Sequence, residues 1–268
     1  MALISAAVCP YPPGLITEVA GEAAAQSDTL RAVCAESVRR LGLPQLGINN
    51  GWAASDGFGA RRPDETTPEL LVLVGGDDTT RLFQTAGAYA SLRAQGIDWS
   101  TGWGQDNEDA VPLPLSLSVG YWLLDYGRPP GMHRASVAFQ AVALDATPQQ
   151  CAALGRELAG RADRVAMLVM GEGSAVRGVT VRPHPNEQAG RYDAEVAAAL
   201  GAADAERLGR LDLVESNRLN ATGRAAWQVL AGAADGRRFQ AELLAGPAPG
   251  GVGYFVASWT QGVTAGGG

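Results

Sequence analysis

Histidine is scarce in this chain: only His133 and His184 occur among 268 residues. A site built on two imidazoles must therefore use both. Cysteine is almost as rare. Cys9, Cys34 and Cys151 are odd in number, widely spaced and free of any C-x-x-C pair. That pattern excludes a disulfide framework or a cysteine-rich zinc site, and it predicts reduced thiols in a cytoplasmic protein. No apolar run approaches the roughly 20 residues that span a bilayer. The short apolar run at residues 2–8 lacks a preceding basic segment, so neither a membrane anchor nor a signal peptide is expected. Positive charge is in deficit: the net charge is −7 and the pI about 4.9, which argues against an extended nucleic-acid surface. What is abundant is short apolar residues and glycine, with 46% of the chain hydrophobic. That length and composition suit a large, well-buried α/β core.

The apolar patterning alternates between the two regular structures. Residues 2–8, 70–74, 136–144 and 164–170 read as buried strands, and 239–244 and 252–258 as late ones. Residues 22–41 show helical spacing through Leu30, Val33, Cys34, Val38 and Leu41, with Gly42 as a stop. A helix is expected from about Ser116 within 113–124. Thr147 with Pro148 predicts another over 148–162. Further helices are expected at 193–200 and 224–234. Residues 47–68 and 96–109 read as loops, the latter carrying Trp99 and Trp103 as packing residues or a lid. No internal repeat is present. The expected fold is an αβα sandwich around a largely parallel or mixed sheet, a single domain over 1–261, with a disordered glycine-rich tail at 262–268.

The strand at 2–8 runs directly into Cys9-Pro10-Tyr11-Pro12-Pro13. Prolines restrict the backbone there, so residue 11 is held at a strand's carboxyl end, where α/β proteins build their sites. This segment resembles the C-P-H-P-P opening of the LigB-like class III extradiol dioxygenases. Further blocks are similar to the actinobacterial branch of that family: Leu113-Pro114-Leu115-Ser116-Leu117, Leu168-Val169-Met170-Gly171-Glu172-Gly173-Ser174-Ala175, Ala225-Ala226-Trp227-Gln228-Val229-Leu230 and Gly251-Val252-Gly253-Tyr254-Phe255. The resemblance implies an α/β fold, a homodimer and Fe(II)-dependent cleavage of catechol rings. Two histidines and a glutamate would hold the iron, and another histidine would move protons. In this chain the first metal histidine falls on Tyr11 and the second, by likeness to the family's N-D-H-A-T block, on Asp78. The glutamate falls near Gly223, with Glu215 and Asn220 as the nearest polar alternatives. The proton-shuttling histidine falls on His184, within Pro183-His184-Pro185 ahead of Ala189 and Tyr192-Asp193.

The expected site therefore has His184, Tyr11 and Asp78 as catalytic residues. Pro12, Asp77, Glu172, Gly173 and Ser174 are expected to bind substrate, with no metal. Each has a plainer reading. Tyr11 can simply pack where the histidine stood. Asp77 and Asp78 can cap a following helix. The Gly171–Ser174 turn can cradle an anion through backbone N–H groups, although it lacks phosphate-loop spacing. Ser174 with His184 invites a hydrolase, but no G-x-S-x-G elbow exists. His133 reads as a solvated loop residue.

Three functions compete. The first is a diverged dioxygenase-like protein whose old catechol cleft binds a small polar or aromatic molecule for metal-independent acid–base chemistry. The second is an active Fe(II) extradiol dioxygenase with an unusual ligand set. The third is a non-catalytic partner or scaffold subunit. Neither nucleic acid nor membrane is an expected partner.

Overall fold

The computed structural model describes residues 2–21, 24–43, 67–102, 109–126, 136–175, 187–246 and 251–262. The chain opens with β1 (Ala2–Cys9), α1 (Thr17–Ala20) and α2 (Ala24–Arg39), then β2 (Leu70–Asp77), β3 (Arg81–Phe83), β4 (Ala88–Ser91), β5 (Ser100–Thr101) and β6 (Val111–Pro112). Next come α3 (Leu115–Tyr126), β7 (Ser136–Ala143), α4 (Pro148–Ala159), β8 (Arg164–Met170) and α5 (Glu187–Ala202). The short helices α6 (Ala205–Gly209) and α7 (Leu213–Arg218) precede α8 (Arg224–Ala233), β9 (Phe239–Ala245) and β10 (Val256–Gln261).

Seven strands form one mixed sheet in the order β3-β7-β2-β8-β1-β10-β9. Its centre, β7-β2-β8-β1, is parallel, and β3, β10 and β9 add antiparallel pairings at the margins. A parallel sheet must be covered on both faces, which is why its strands read as unbroken apolar runs. Successive residues of β8 divide accordingly. Val165, Met167 and Val169 enter the core under α4, α5 and α8, while Ala166, Leu168 and Met170 enter the core under α2 and α3. The result is helix, sheet, helix. A second sheet, β5-β4-β6, stands beside it.

The connection order fixes where a cleft can open. β2 leads on to α3 on one face, whereas the adjacent β8 leads to α5 on the other. Their outgoing chains diverge, and the carboxyl ends of β2, β8 and β1 border that divergence, the usual place for an α/β ligand site.

The expected elements are present, with several differences. β2 continues through Gly75, Gly76 and Asp77, where the glycines suggested a turn; there it still pairs with β7. The missing side chains admit neighbours: a Cβ on Gly75 would lie 2.7 Å from Ser116 Cβ, and one on Gly76 2.6 Å from Leu144 Cδ2. No helix follows β2, so Asp77 and Asp78 are not helix caps; the carbonyl of Asp77 accepts from Leu144 N at 3.0 Å. β10 begins at Val256, because Gly253 pairs with the turn after β8: Gly173 N donates to its carbonyl at 2.6 Å and its N–H reaches Ser174 O at 2.9 Å. α5 starts six residues before the expected 193. Strands β3 to β6 and helices α6 and α7 are too short to carry a periodicity. Thr147 caps α4 in a reciprocal capping box with Gln150, as its sequence predicts. Residues 47–66 of the first expected loop and the tail at 263–268 lie outside the described residues. No described helix is long and apolar enough to cross a membrane.

Helix α8 lies unusually close to α4. A Cβ on Gly155 would overlap the carbonyl of Val229, and one on Gly232 would overlap Ala152. Gly155→Ala is therefore expected to destabilise the fold by about 1–3 kcal/mol through overpacking, read from the urea midpoint at unchanged m-value. A midpoint at or above that of the parent would contradict the close approach.

Candidate functional site

Tyr11 stands two residues beyond β1, and its backbone N–H donates to Glu172 Oε1 at 3.2 Å. Pro12 opens the next turn with φ −62° and ψ 137°, its carbonyl accepting from Leu15 N at 3.0 Å. Buried Arg31 fastens this turn from α2, with Nε on Leu15 O at 2.8 Å and Nη2 on Gly14 O at 3.3 Å. The proline-rich segment is thus clamped to the strand edge, as its composition predicts.

The side chain of Tyr11 is only 8% exposed, and its hydroxyl donates to Thr222 Oγ1 at 2.5 Å. Burial and the neighbouring Glu172 charge push the phenol well above its ordinary range, so it stays protonated. Tyr254 responds to the same two causes in the same order and is pushed up to about 12. Glu172 itself is partly buried. Desolvation raises its carboxyl to about 7, against the opposing pull of the Tyr11 N–H. Around neutral pH this carboxyl is divided between acid and base, the condition for proton transfer. Three hydroxyls and one titrating carboxyl therefore gather at the ends of β1 and β8, against the start of α8.

The last of these elements is set by Trp227. Its indole is fully buried, edge-on to Phe255 with ring centroids 5.7 Å apart. A Cβ on Gly171 would lie 2.7 Å from its Nε1, and one on Gly223 would lie 2.6 Å from its Cε2. The indole Nε1 has no hydrogen-bond partner among the described residues. Gly223 N donates to Glu172 O at 2.8 Å, which joins the start of α8 to the turn after β8. Thr222 is thereby placed over Tyr11.

Several expected site residues are placed elsewhere. The Gly173 and Ser174 groups expected to bind substrate are engaged within the protein. The Gly173 N–H is bound to Gly253 O, and Ser174 N and Oγ reach Asp193 Oδ1 and Oδ2 at 2.9 and 2.7 Å. Ser174 is fully buried, so its hydroxyl is not presented at the surface as a hydrolase nucleophile would be. Asp78 is exposed on the turn after β2, with no hydrogen-bond or ion-pair partner among the described residues, and Asp77 is partly buried at the strand's end. Tyr11, Pro12 and Glu172 remain together at the carboxyl ends of β1 and β8. His184 and His133, and Trp103 of the expected lid, lie outside the described residues; Trp99 packs against the core under α2 and α3. Thr222 and Tyr254 were not anticipated. Tyr254 belongs to the family-like block at 251–255, whereas nothing local marks Thr222.

Iron(II), which the resemblance implies, is not matched by the three positions where its ligands would fall. The Tyr11 hydroxyl is engaged by Thr222, and Asp78 faces solvent. Gly223 carries no donor, and Trp227 fills the space a side chain there would need. Of the alternatives, Glu215 accepts from Gln188 Nε2 at 2.9 Å and Asn220 is exposed. Among the described residues no group of three or more His, Cys, Asp or Glu could hold a metal ion.

No family model matches the chain, and no curated protein does. Among solved structures it is similar to the crystal structure of the uncharacterized protein JW3007 from Escherichia coli K12. That likeness has a TM-score of 0.45 and 14% identity, over 95% of this chain and 99% of that one.

Two outcomes follow from the geometry. Gly223→Ala should lower stability by about 1–3 kcal/mol in chemical denaturation, because Trp227 must shift; an unchanged midpoint would contradict the wedge. Glu172 also makes stability depend on pH. Its native carboxyl titrates near 7 against the model-peptide value of 4.5, so the native state holds a proton the unfolded chain has released. Stability from this group is full below about pH 4.5 and is lost as pH rises towards 7. Glu172→Gln should therefore gain on the parent across that window in thermal melts; parallel profiles would refute the raised value.

Proposed function

We propose that this chain is a diverged relative of the class III extradiol dioxygenases whose former catechol cleft binds a small polar or aromatic molecule. Its chemistry there is acid–base catalysis without a metal. The observation carrying this reading is the pairing at residue 11: a phenol locked to Thr222 stands at the family's first metal position, beside the titrating carboxyl of Glu172. Glu172 accepts or returns a proton at the ligand. The Tyr11–Thr222 pair aligns a polar group of the ligand, since the Thr222 hydroxyl keeps its own proton to donate. Glu172 takes the part that the sequence assigned to Asp78. His184 is the second proton carrier in this proposal, its ordinary pKa of about 6.5 suiting exchange near neutrality. The ligand is taken up without nucleic acid or membrane.

Catechol tests the reading directly. Protein stripped with a chelator should bind catechol in calorimetry with unchanged affinity. Tyr11→Phe or Thr222→Val should weaken it roughly fivefold, the worth of one hydrogen bond. Stoichiometric iron after anaerobic reconstitution, with a yellow ring-fission product from catechol, would establish the iron enzyme instead. Failure of catechol to bind at all would favour a non-catalytic subunit.

A further inference from the structure

Most described ion pairs of this protein join arginines to carboxylates at the surface: Arg40 with Glu36 and Glu242, Arg93 with Asp98, Arg161 with Glu157, Arg164 with Glu69; buried Arg31 pairs with Asp28. Glu172 has no such partner. Its carboxyl accepts one hydrogen bond, from the Tyr11 N–H to Oε1, and among the described residues it faces no cation. The described groups around it are neutral. Tyr11 comes from the end of β1 and Tyr254 from the segment before β10, both protonated phenols; the α8 turn meets Glu172 at its backbone carbonyl and presents the Thr222 hydroxyl to Tyr11. The buried arginines Arg31 and Arg224 are engaged elsewhere. Arg31 holds Leu15 O, Gly14 O and the Asp28 carboxylate, and Arg224 holds Leu144 O, Ala146 O and Gln228 Oε1.

A carboxylate held partly out of water with no counter-charge is destabilised, and a cation brought beside it removes that penalty. An anionic ligand would meet repulsion at the same point, with no arginine among the described residues to offset it. A neutral ligand would leave the carboxylate as it is. The chain's net charge of −7 also favours approach by cations.

We propose that the molecule bound in this cleft carries a protonated amine, seated on the Glu172 carboxylate with the hydroxyls of Tyr254 and Thr222 beside it. The proposal rests on the ligand-cleft reading above and names the chemical class that cleft selects. The ammonium donates to the carboxylate oxygen that Tyr11 leaves free, and a charge-assisted bond of that kind is about twice as strong as a neutral one.

Three probes of one shape separate the outcomes: benzylamine, benzyl alcohol and benzoate, titrated at pH 8 into the full chain by calorimetry. Benzylamine is expected to bind at least about tenfold more tightly than benzyl alcohol, with benzoate weakest. Glu172→Gln, which keeps the shape and removes the charge, should bring benzylamine and benzyl alcohol to about equal affinity. Benzyl alcohol or benzoate binding the parent as well as benzylamine would overturn the amine while leaving the cleft in place. An amine preference that survives in Glu172→Gln would also overturn it. Binding by none of the three would overturn the ligand-cleft reading itself, and this inference with it. The ranking on the parent chain decides the matter even if the variant folds poorly.

Discussion

The depth at which α8 sits governs the remainder of the cleft. A helix axis ordinarily stands 8–10 Å from its neighbour, at a distance set by the side chains between them. Here Gly155 and Gly232 remove those side chains between α4 and α8, and Gly171 and Gly223 remove them around Trp227. The indole becomes the wedge that fixes the helix start, at the price of one buried N–H without a partner among the described residues. With α8 this deep, Thr222 reaches the Tyr11 hydroxyl and Gly223 N reaches the Glu172 carbonyl. A bulkier residue at 223 would lift the helix and undo both contacts.

The electrostatics of the cleft follow from where positive charge has been committed. Arg31 and Arg224 are almost wholly buried, and each is satisfied mainly by backbone carbonyls of chain ends and turns. A guanidinium held by several carbonyls is fixed in place and cannot move to neutralise a distant carboxylate. Asp193 is likewise committed, both its oxygens receiving Ser174. Glu172 remains as the titrating carboxyl, and its charge reaches both Tyr11 and Tyr254. Among the partly buried and buried described charges, Arg31, Arg224 and Asp193 are saturated while Glu172 accepts a single backbone hydrogen bond.

Much of the fold was legible because its strands are buried on both faces. Runs such as residues 164–170 have few alternatives to a central parallel strand, and Thr147-Pro148 announces a helix start by hydrogen-bonding chemistry alone. Errors arose where glycine carries two meanings. Gly75-Gly76 reads as a turn in one dimension, yet the pair continues β2 because Ser116 and Leu144 occupy the space above it. The reverse holds at Gly173 and Gly253, where an apparent anion cradle and an apparent strand instead bind each other. Asp78 matches a family-like block in one dimension, but the turn directs it to solvent.

The sequence by itself determined that residue 11 stands at the carboxyl end of a buried parallel strand, because prolines restrict the backbone whatever surrounds them. It also determined that the side chain held there is a phenol. Only the tertiary structure decided what that phenol touches. Thr222 is 211 residues away and Glu172 is 161, and no local propensity or period links positions so distant. Whether Glu172 is an ordinary surface carboxylate or one that titrates near neutrality depends on the atoms that exclude water from it. Those atoms come together only when β1, β8 and α8 are packed.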